Sequence, residues 1–361
     1  MRYAHEMPAE AWIDELDDRL LGSGELARLI HDGHVQGLTS NPSILEAAFA
    51  RAVDGPSLLR RYRCSPRQIY EEVAYEWIVA AADLFRPVYE RSLGQTGYVS
   101  IELPPALAAN RRDTVRAASE LARTLDRPNV MIKTPGTAAG LAATGDLIAL
   151  GIPVNVTLLF APLRFDAVAT AYLDGVSRLS QSTTPPACVA SFFVSRIDTA
   201  VDRLVRRFAD GSSIPGDYAV LLGTAALSCA DATWARYLAF VHEHARPHRA
   251  QSQLPRLRLL WASTSVKDKE FAPLKYVSAL MRPGTVTTMP RATLDLWNRG
   301  DARELTNPSP PQLGLLRARL QDANIDLDEI LARLEQDGLI AFEESFERML
   351  NSLGSASALA E

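Results

Sequence analysis

Asn129–Phe160, NVMIKTPGTAAGLAATGDLIALGIPVNVTLLF, decides the fold. Three apolar residues, Val130 to Ile132, lead to Lys133, and a Thr-Pro-Gly-Thr turn follows at once. A run so short, closed by Pro and Gly, reads as a buried strand over 129–133 that stops where the lysine emerges. The segment Gly140–Leu150 reads as a helix and Ile152–Phe160 as the next strand. Strand, helix and strand in this order make one parallel unit with a right-handed crossover. Burial penalises the charged form of an amine, and the neutral amine is nucleophilic toward carbonyls. The plain alternative is a lysine whose stem lies on apolar surface and whose head reaches solvent.

The same alternation runs outward in both directions. Upstream, strands are expected at Trp12–Leu16, Val35–Pro42 and Tyr98–Leu103. Helices are expected at Gly24–His31, with Ser23 as N-cap and Glu25 in the first turn, and from Pro42 and Ser43 through Ala50. Gln68–Phe85 carries apolar residues at helical spacing and is expected to stop before Pro87. Asp113–Leu125 is a further helix. Downstream, helix Pro162–Leu179 precedes a strand at Cys188–Arg196, and the helix after it carries Asp198, Asp202 and Arg203 on its polar face. Helix Tyr218–Ala245, strand Leu257–Thr264, strand Thr285–Pro290 and helix Arg291–Arg299 complete the series. Eight short apolar runs alternating with helices imply the α/β class and a (β/α)8 TIM barrel with extra N-terminal and C-terminal helices. A doubly wound open sheet is the rival, but no GxGxxG or GxxxxGK[ST] follows any strand. Residues 1–361 read as a single domain, with a helical extension at about 311–353 that includes the amphipathic run Leu327–Leu350. Arg246–Arg258 and Asn307–Pro311 read as a surface loop and a linker without chemistry.

The bulk numbers agree with this class. The chain has 361 residues, a formal charge of -5 and 47% hydrophobic residues, enough for one large core. Mild acidity without a Lys/Arg-rich tract gives no support to nucleic-acid binding. No stretch reaches the roughly 18 apolar residues of a membrane span, and the first residues lack the apolar core of a signal peptide. Cys64, Cys188 and Cys229 are far apart and fit free thiols in a reducing cytoplasm. His242 and His244 stand at i, i+2 and do not share a helix face, so no metal site is expected.

Chemistry in such a barrel sits where strands end at the C-terminal face. The strands bring there, in order, Asp14; Thr39, Ser40 and Asn41; Glu102; Lys133; Asn155 and Thr157; Ser191, Ser195 and Arg196; Ser263, Thr264 and Lys267; Thr287 and Thr288. Taken singly, Asp14 reads as a helix cap, Asn41 as a turn former, Glu102 as a solvated strand end and Ser263 as filler. Taken together, they ring one lysine with polar groups that need partners, and a ligand can be one. The roles suit a class I aldol reaction. Lys133 attacks a ketone, while Glu102 and the Thr157 hydroxyl shuttle a proton through a water. Asp14 takes the proton from the hydroxyl whose C–C bond breaks. Asn41 and Asn155 hold hydroxyls of the three-carbon fragment, and Ser191, Arg196, Ser263 and Lys267 form a phosphate site.

The segments WIDEL (12–16), GLTSNPSIL (37–45), YVSIEL (98–103), NVMIKTPGT (129–137), IPVNVTLLF (152–160), ASFFVSRID (190–198) and LLWASTSVK (259–267) resemble, in that order, those of the transaldolases. The likeness is to the longer bacterial branch, whose tail ends in a segment like DGLIAFEESFERML (337–350). The resemblance implies a Schiff-base lysine at Lys133 and transfer of a dihydroxyacetone unit from a ketose phosphate to an aldose phosphate, without metal or organic cofactor. It implies a cytoplasmic enzyme of the pentose phosphate pathway, a monomer or homodimer whose partners are sugar phosphates, with no nucleic acid and no membrane. The chain departs from the branch near the last two strands. Ser265 stands where a Gly is usual, Ala272–Tyr276 where Ser-Asp-Thr-Leu-Tyr is, Thr287 for Asn and Arg291 for Glu. These changes leave two alternatives open: a specialised sugar pathway with a different acceptor, and a non-catalytic sugar-phosphate binding barrel.

Overall fold

The computed structural model describes residues 8–53, 65–180, 183–208, 216–244, 256–300 and 310–358. Strands β1 (Glu10–Asp14), β2 (Gly37–Thr39), β3 (Val99–Glu102), β4 (Val130–Pro135), β5 (Val154–Leu159), β6 (Cys188–Phe193), β7 (Leu257–Ala262) and β8 (Val286–Met289) form a closed barrel in sequence order. Every neighbouring pair is parallel, and β8 closes the barrel against β1. The strands are buried on both faces, which is why they read as continuous apolar runs rather than alternating ones. The expected (β/α)8 barrel is therefore the fold.

Its helices are α1 (Asp18–Gly22), α2 (Glu25–His31), α3 (Pro42–Val53), α4 (Pro66–Arg91), α5 (Arg111–Leu125), α6 (Ala138–Ala149), α7 (Pro162–Ser177), α8 (Ser195–Phe208), α9 (Gly216–Ala219), α10 (Ala225–His244), α11 (Lys275–Leu280), α12 (Arg291–Asn298), α13 (Leu313–Asp322) and α14 (Leu327–Ala358). The extra N-terminal helices lie between strands: α1 and α2 between β1 and β2, α3 and α4 between β2 and β3. Ser23 is not the cap of α2. That position is Gly24 at φ 72°, and Ser23 ends α1.

Four expectations change on a physical ground. Helix α4 runs through Pro87 to Arg91 instead of stopping before it. Proline forfeits one hydrogen bond, but Val88 and Tyr89 pack against the core, and the Tyr89 and Tyr98 rings meet edge-on at 5.4 Å. A capping box of Ser65 and Gln68 with Pro66 in the first turn fixes its start. Strand β4 continues two residues past Lys133, because Pro135 pairs with Thr157 and the Gly136 N–H donates to the Thr157 carbonyl at 2.9 Å. Strand β6 ends at Phe193, so Ser195 and Arg196 open α8 rather than close a strand. Asp198 and Asp202 on α8 are buried, not on a solvated face; of the three residues expected on that face, Arg203 alone is exposed. Asp198 accepts hydrogen bonds from Lys275 Nζ (2.8 Å), the Tyr276 hydroxyl (2.7 Å) and the Ala226 N–H (2.7 Å), and Asp202 accepts from the Gly223 N–H (2.9 Å).

Most of the segment expected as a surface loop, and all but Pro310 and Pro311 of the expected linker, lie outside the described residues. Arg258, at the end of that loop segment, is not a surface residue. It lies in β7 and pairs with buried Glu10 at 2.6 Å. The tail folds as α13 and α14. Helix α14 packs on α3, α4, α8 and β5. It is tied at one end by Arg164–Glu335 (2.9 Å) and at the other by Ser43–Ser345 (3.0 Å) and Arg348–Glu46 (2.7 Å). No helix among the described residues is long and apolar enough to cross a membrane.

Candidate active site

Parallel register sets the site. Glu102 on β3 stands opposite Lys133 on β4, and Lys133 opposite Asn155 on β5. Asp14 on β1 stands opposite Thr39 on β2. The turn behind Lys133 is tight because α6 folds straight back onto its strand. A Cβ on Gly140 would lie 2.0 Å from the Pro135 carbonyl oxygen, so the position takes no side chain, and the Thr137 hydroxyl caps the helix on the Gly140 N–H at 3.1 Å.

The Lys133 side chain is buried, with 6% of its surface exposed. Its Nζ donates to the Ser40 carbonyl at 2.8 Å and lies 3.2 Å from Glu102 Oε2. Burial holds the Glu102 carboxyl above its ordinary range, against the pull of Lys133, with the Asp14 charge adding to the rise. Burial also raises Asp14, against Lys133, the Thr39 hydroxyl that donates to it at 2.6 Å, and Lys267. Two carboxyls pushed up beside one buried amine are the pattern that acid–base chemistry requires. The Thr157 hydroxyl oxygen is buried without a hydrogen-bond partner among the described residues.

Above the lysine opens a cavity of about 310 Å³. Asp14, Asn41, Lys133, Thr157, Ser191, Arg196, Ser263 and Lys267 all border it, together with Ser265, Phe193 and Phe342. Glu102 borders a separate small apolar compartment with Lys133, Pro104, Pro105, Leu339 and Phe342. Asn155 borders neither. It is fully buried, donating to Ser100 Oγ at 3.1 Å and accepting from Ser191 Oγ at 2.6 Å. Asn41 caps α3 by accepting the Ile44 N–H at 3.0 Å, and it borders the cavity.

On the far wall, burial lowers the pKa of Arg196 and of Lys267, and the neighbouring Arg196 charge lowers Lys267 further while Asp14 opposes. Ser265 Oγ accepts from Lys267 Nζ at 2.7 Å. Ser263 sits at φ 56° and Leu158 at φ 62°, conformations that side chains rarely adopt. Ser263 follows β7 and borders the cavity, while Leu158 lies near the end of β5 and borders the small compartment of Glu102. Ser265 has no such φ, so a serine there costs the loop no backbone strain. Of the other departures, Thr287 alternates with cavity-lining Thr288 and points away. Arg291 pairs with Glu25 and Asp295, while Lys275 and Tyr276 bond to Asp198. The departures therefore touch the cavity at Ser265 alone. Phe342 and Leu339 were not among the expected site residues. Their only signal was the apolar face of a tail helix far along the chain.

A closed parallel barrel with a buried lysine and two carboxyls at its strand ends defines a class: lysine-centred (β/α)8 enzymes. The chain belongs to the Transaldolase/Fructose-6-phosphate aldolase family, whose model matches residues 11–353. It is 36% identical to a transaldolase of Saccharopolyspora erythraea over 352 residues, which is 95% of this chain and 93% of the relative. It is 36% identical to a transaldolase of Neisseria gonorrhoeae, covering 95% of this chain and 96% of that one. A protein named transaldolase 1 of Streptomyces avermitilis is 37% identical over 96% of this chain and 92% of its own.

Proposed function

We propose that this chain is a transaldolase, which moves a dihydroxyacetone unit from sedoheptulose 7-phosphate or fructose 6-phosphate to an aldose phosphate in the pentose phosphate pathway. The observation that carries the reading is the Lys133 amine, buried between Glu102 and the Ser40 carbonyl at the floor of a polar cavity. Lys133 adds to the donor ketone. Loss of water from the carbinolamine needs a proton relay, which Glu102 and Thr157 supply through a water between them. The resulting iminium draws electrons from the adjacent C–C bond, so the chemistry itself calls for neither metal nor organic cofactor. Asp14, in range of Lys133, takes the proton from the hydroxyl as that bond breaks and returns it to the acceptor oxygen. Asn41 holds a substrate hydroxyl, and Asn155 acts from below by orienting Ser191. Arg196, at the N-terminal turn of α8, joins Lys267, Ser263 and Ser265 around the substrate phosphate.

We read the chain as one domain with the 311–353 extension as part of its site, as a cytoplasmic enzyme, and as a monomer or homodimer. A Lys133→Met variant should lose transfer from fructose 6-phosphate to erythrose 4-phosphate by at least about 10³-fold, with an unchanged circular dichroism spectrum. Retained turnover in that variant would remove Lys133 as nucleophile. Sedimentation of the same samples reports the oligomeric state.

A further inference from the structure

We propose that Phe342, carried on α14, decides whether the three-carbon unit held on Lys133 is passed to an aldehyde or lost to water; the proposal rests on the transaldolase reading above. Phe342 and Lys133 are the two residues that border both the 310 Å³ cavity and the small compartment of Glu102. The ring is 4% exposed. Its helix is fixed on both sides of the barrel mouth, by the two hydrogen bonds of Arg164 to Glu335 (2.9 and 3.0 Å) and by Ser345 and Arg348 on α3. Between these ties Gly338 beds against the strained Leu158. A Cβ there would lie 2.9 Å from Leu158 Cδ2 and 3.7 Å from Arg196 Nη1. The helix thus sits as low as a glycine allows, and it holds Phe342 against the two spaces that Lys133 also borders.

After donor cleavage the unit remains on Lys133 as an enamine with two fates. Its nucleophilic carbon attacks the acceptor aldehyde, a C–C bond forms, the aldehyde oxygen takes the proton held by Asp14, and one water hydrolyses the resulting iminium to release the new ketose from the Lys133 amine. Alternatively the same carbon takes a proton from solvent to give the iminium. One water then adds to the C=N bond, the C–N bond breaks, and free dihydroxyacetone leaves the Lys133 amine. Both routes end with one water at the C=N bond and part at protonation of the enamine carbon, so an apolar ring that keeps bulk water from that carbon slows the second route and spares the first.

The test uses the full-length enzyme with fructose 6-phosphate and erythrose 4-phosphate. It reads the ratio of released dihydroxyacetone to sedoheptulose 7-phosphate formed. Phe342→Ala should raise that ratio about tenfold or more, and Phe342→Leu less, with borohydride still trapping the unit on Lys133. Ile340→Ala, on the same helix but 55% exposed, should leave the ratio unchanged. Release and transfer falling together in both Phe342 variants, at a constant ratio, would reduce Phe342 to a packing residue and overturn the proposal. A parent enzyme that traps no unit on Lys133 overturns the functional reading and this proposal with it, an outcome separable from a constant ratio.

Discussion

The unpartnered hydroxyl of Thr157 is the most telling single atom in the barrel. A buried hydroxyl without a partner costs stability, by about 1–3 kcal/mol, and Thr157 bears this cost on the wall of the cavity that holds Lys133. Thr157→Val keeps the shape and removes the relay. It should lower kcat roughly 10²-fold with little change in KM, and it should raise stability slightly. Steady-state kinetics and thermal unfolding check both, and an unchanged kcat would take Thr157 out of the relay. Residues of this kind were legible in the sequence because strand ends in a parallel barrel are polar only where something polar meets them. Asp14, Glu102, Lys133 and Thr157 could be picked out on that ground. Phe342 could not, because an apolar residue on an amphipathic helix looks like core wherever it points. Asn155 shows the limit of alternation, which puts it on the inner face but does not tell the cavity wall from the layer beneath it.

Helix α8 shows what the pattern of one element hides. Its aspartates look like a solvated face, yet Asp198 and Asp202 are buried because Lys275, Tyr276 and the N–H groups of Gly223 and Ala226 come to meet them. Those partners are distant in sequence, so the helix alone carries no sign of them. Burial, with repulsion from Asp198, pushes the Asp202 carboxyl up to about 7, against about 3.9 in an unfolded chain. Between those values the folded chain keeps a proton that the unfolded chain has lost. The group's contribution to stability is therefore present at low pH and declines as pH rises through the window. Asp202→Asn removes this decline and keeps an oxygen for the Gly223 N–H. Its unfolding midpoint should exceed the parent's by a widening margin between pH 5 and pH 8, reaching a few degrees. A margin that does not change with pH would contradict the assignment. The same limit explains Pro87: the local rule against an interior proline was outweighed by packing of the turn beyond it.

At the scale of the molecule, the barrel separates stability from chemistry along its axis. The N-terminal end is closed by Arg258 and Glu10, both nearly fully buried. Arg258 also donates to the Gly284 and Thr285 carbonyls, and Glu10 accepts from Trp12 Nε1 and the Thr96 hydroxyl. Arg258→Met strands a buried carboxylate and should cost about 3–5 kcal/mol. The folded fraction should keep its kcat, because Glu10 opens β1 at the N-terminal end of the barrel while Lys133 lies in the C-terminal half of β4. Denaturant unfolding and kinetics on the same preparation test this, and a loss of kcat without loss of stability would refute it. The barrel itself was legible because eight apolar runs alternate with helices. The use of the tail as a wall of the site was not, since it depends on where a helix some two hundred residues from the lysine comes to rest. The central claim is that Lys133 carries a three-carbon unit between sugars. Borohydride reduction in the presence of fructose 6-phosphate without acceptor, read by peptide mass spectrometry, tests it most directly. A reduced dihydroxyacetone adduct on Lys133 is the predicted result. No adduct with this donor or with sedoheptulose 7-phosphate, or an adduct on another lysine, would contradict it.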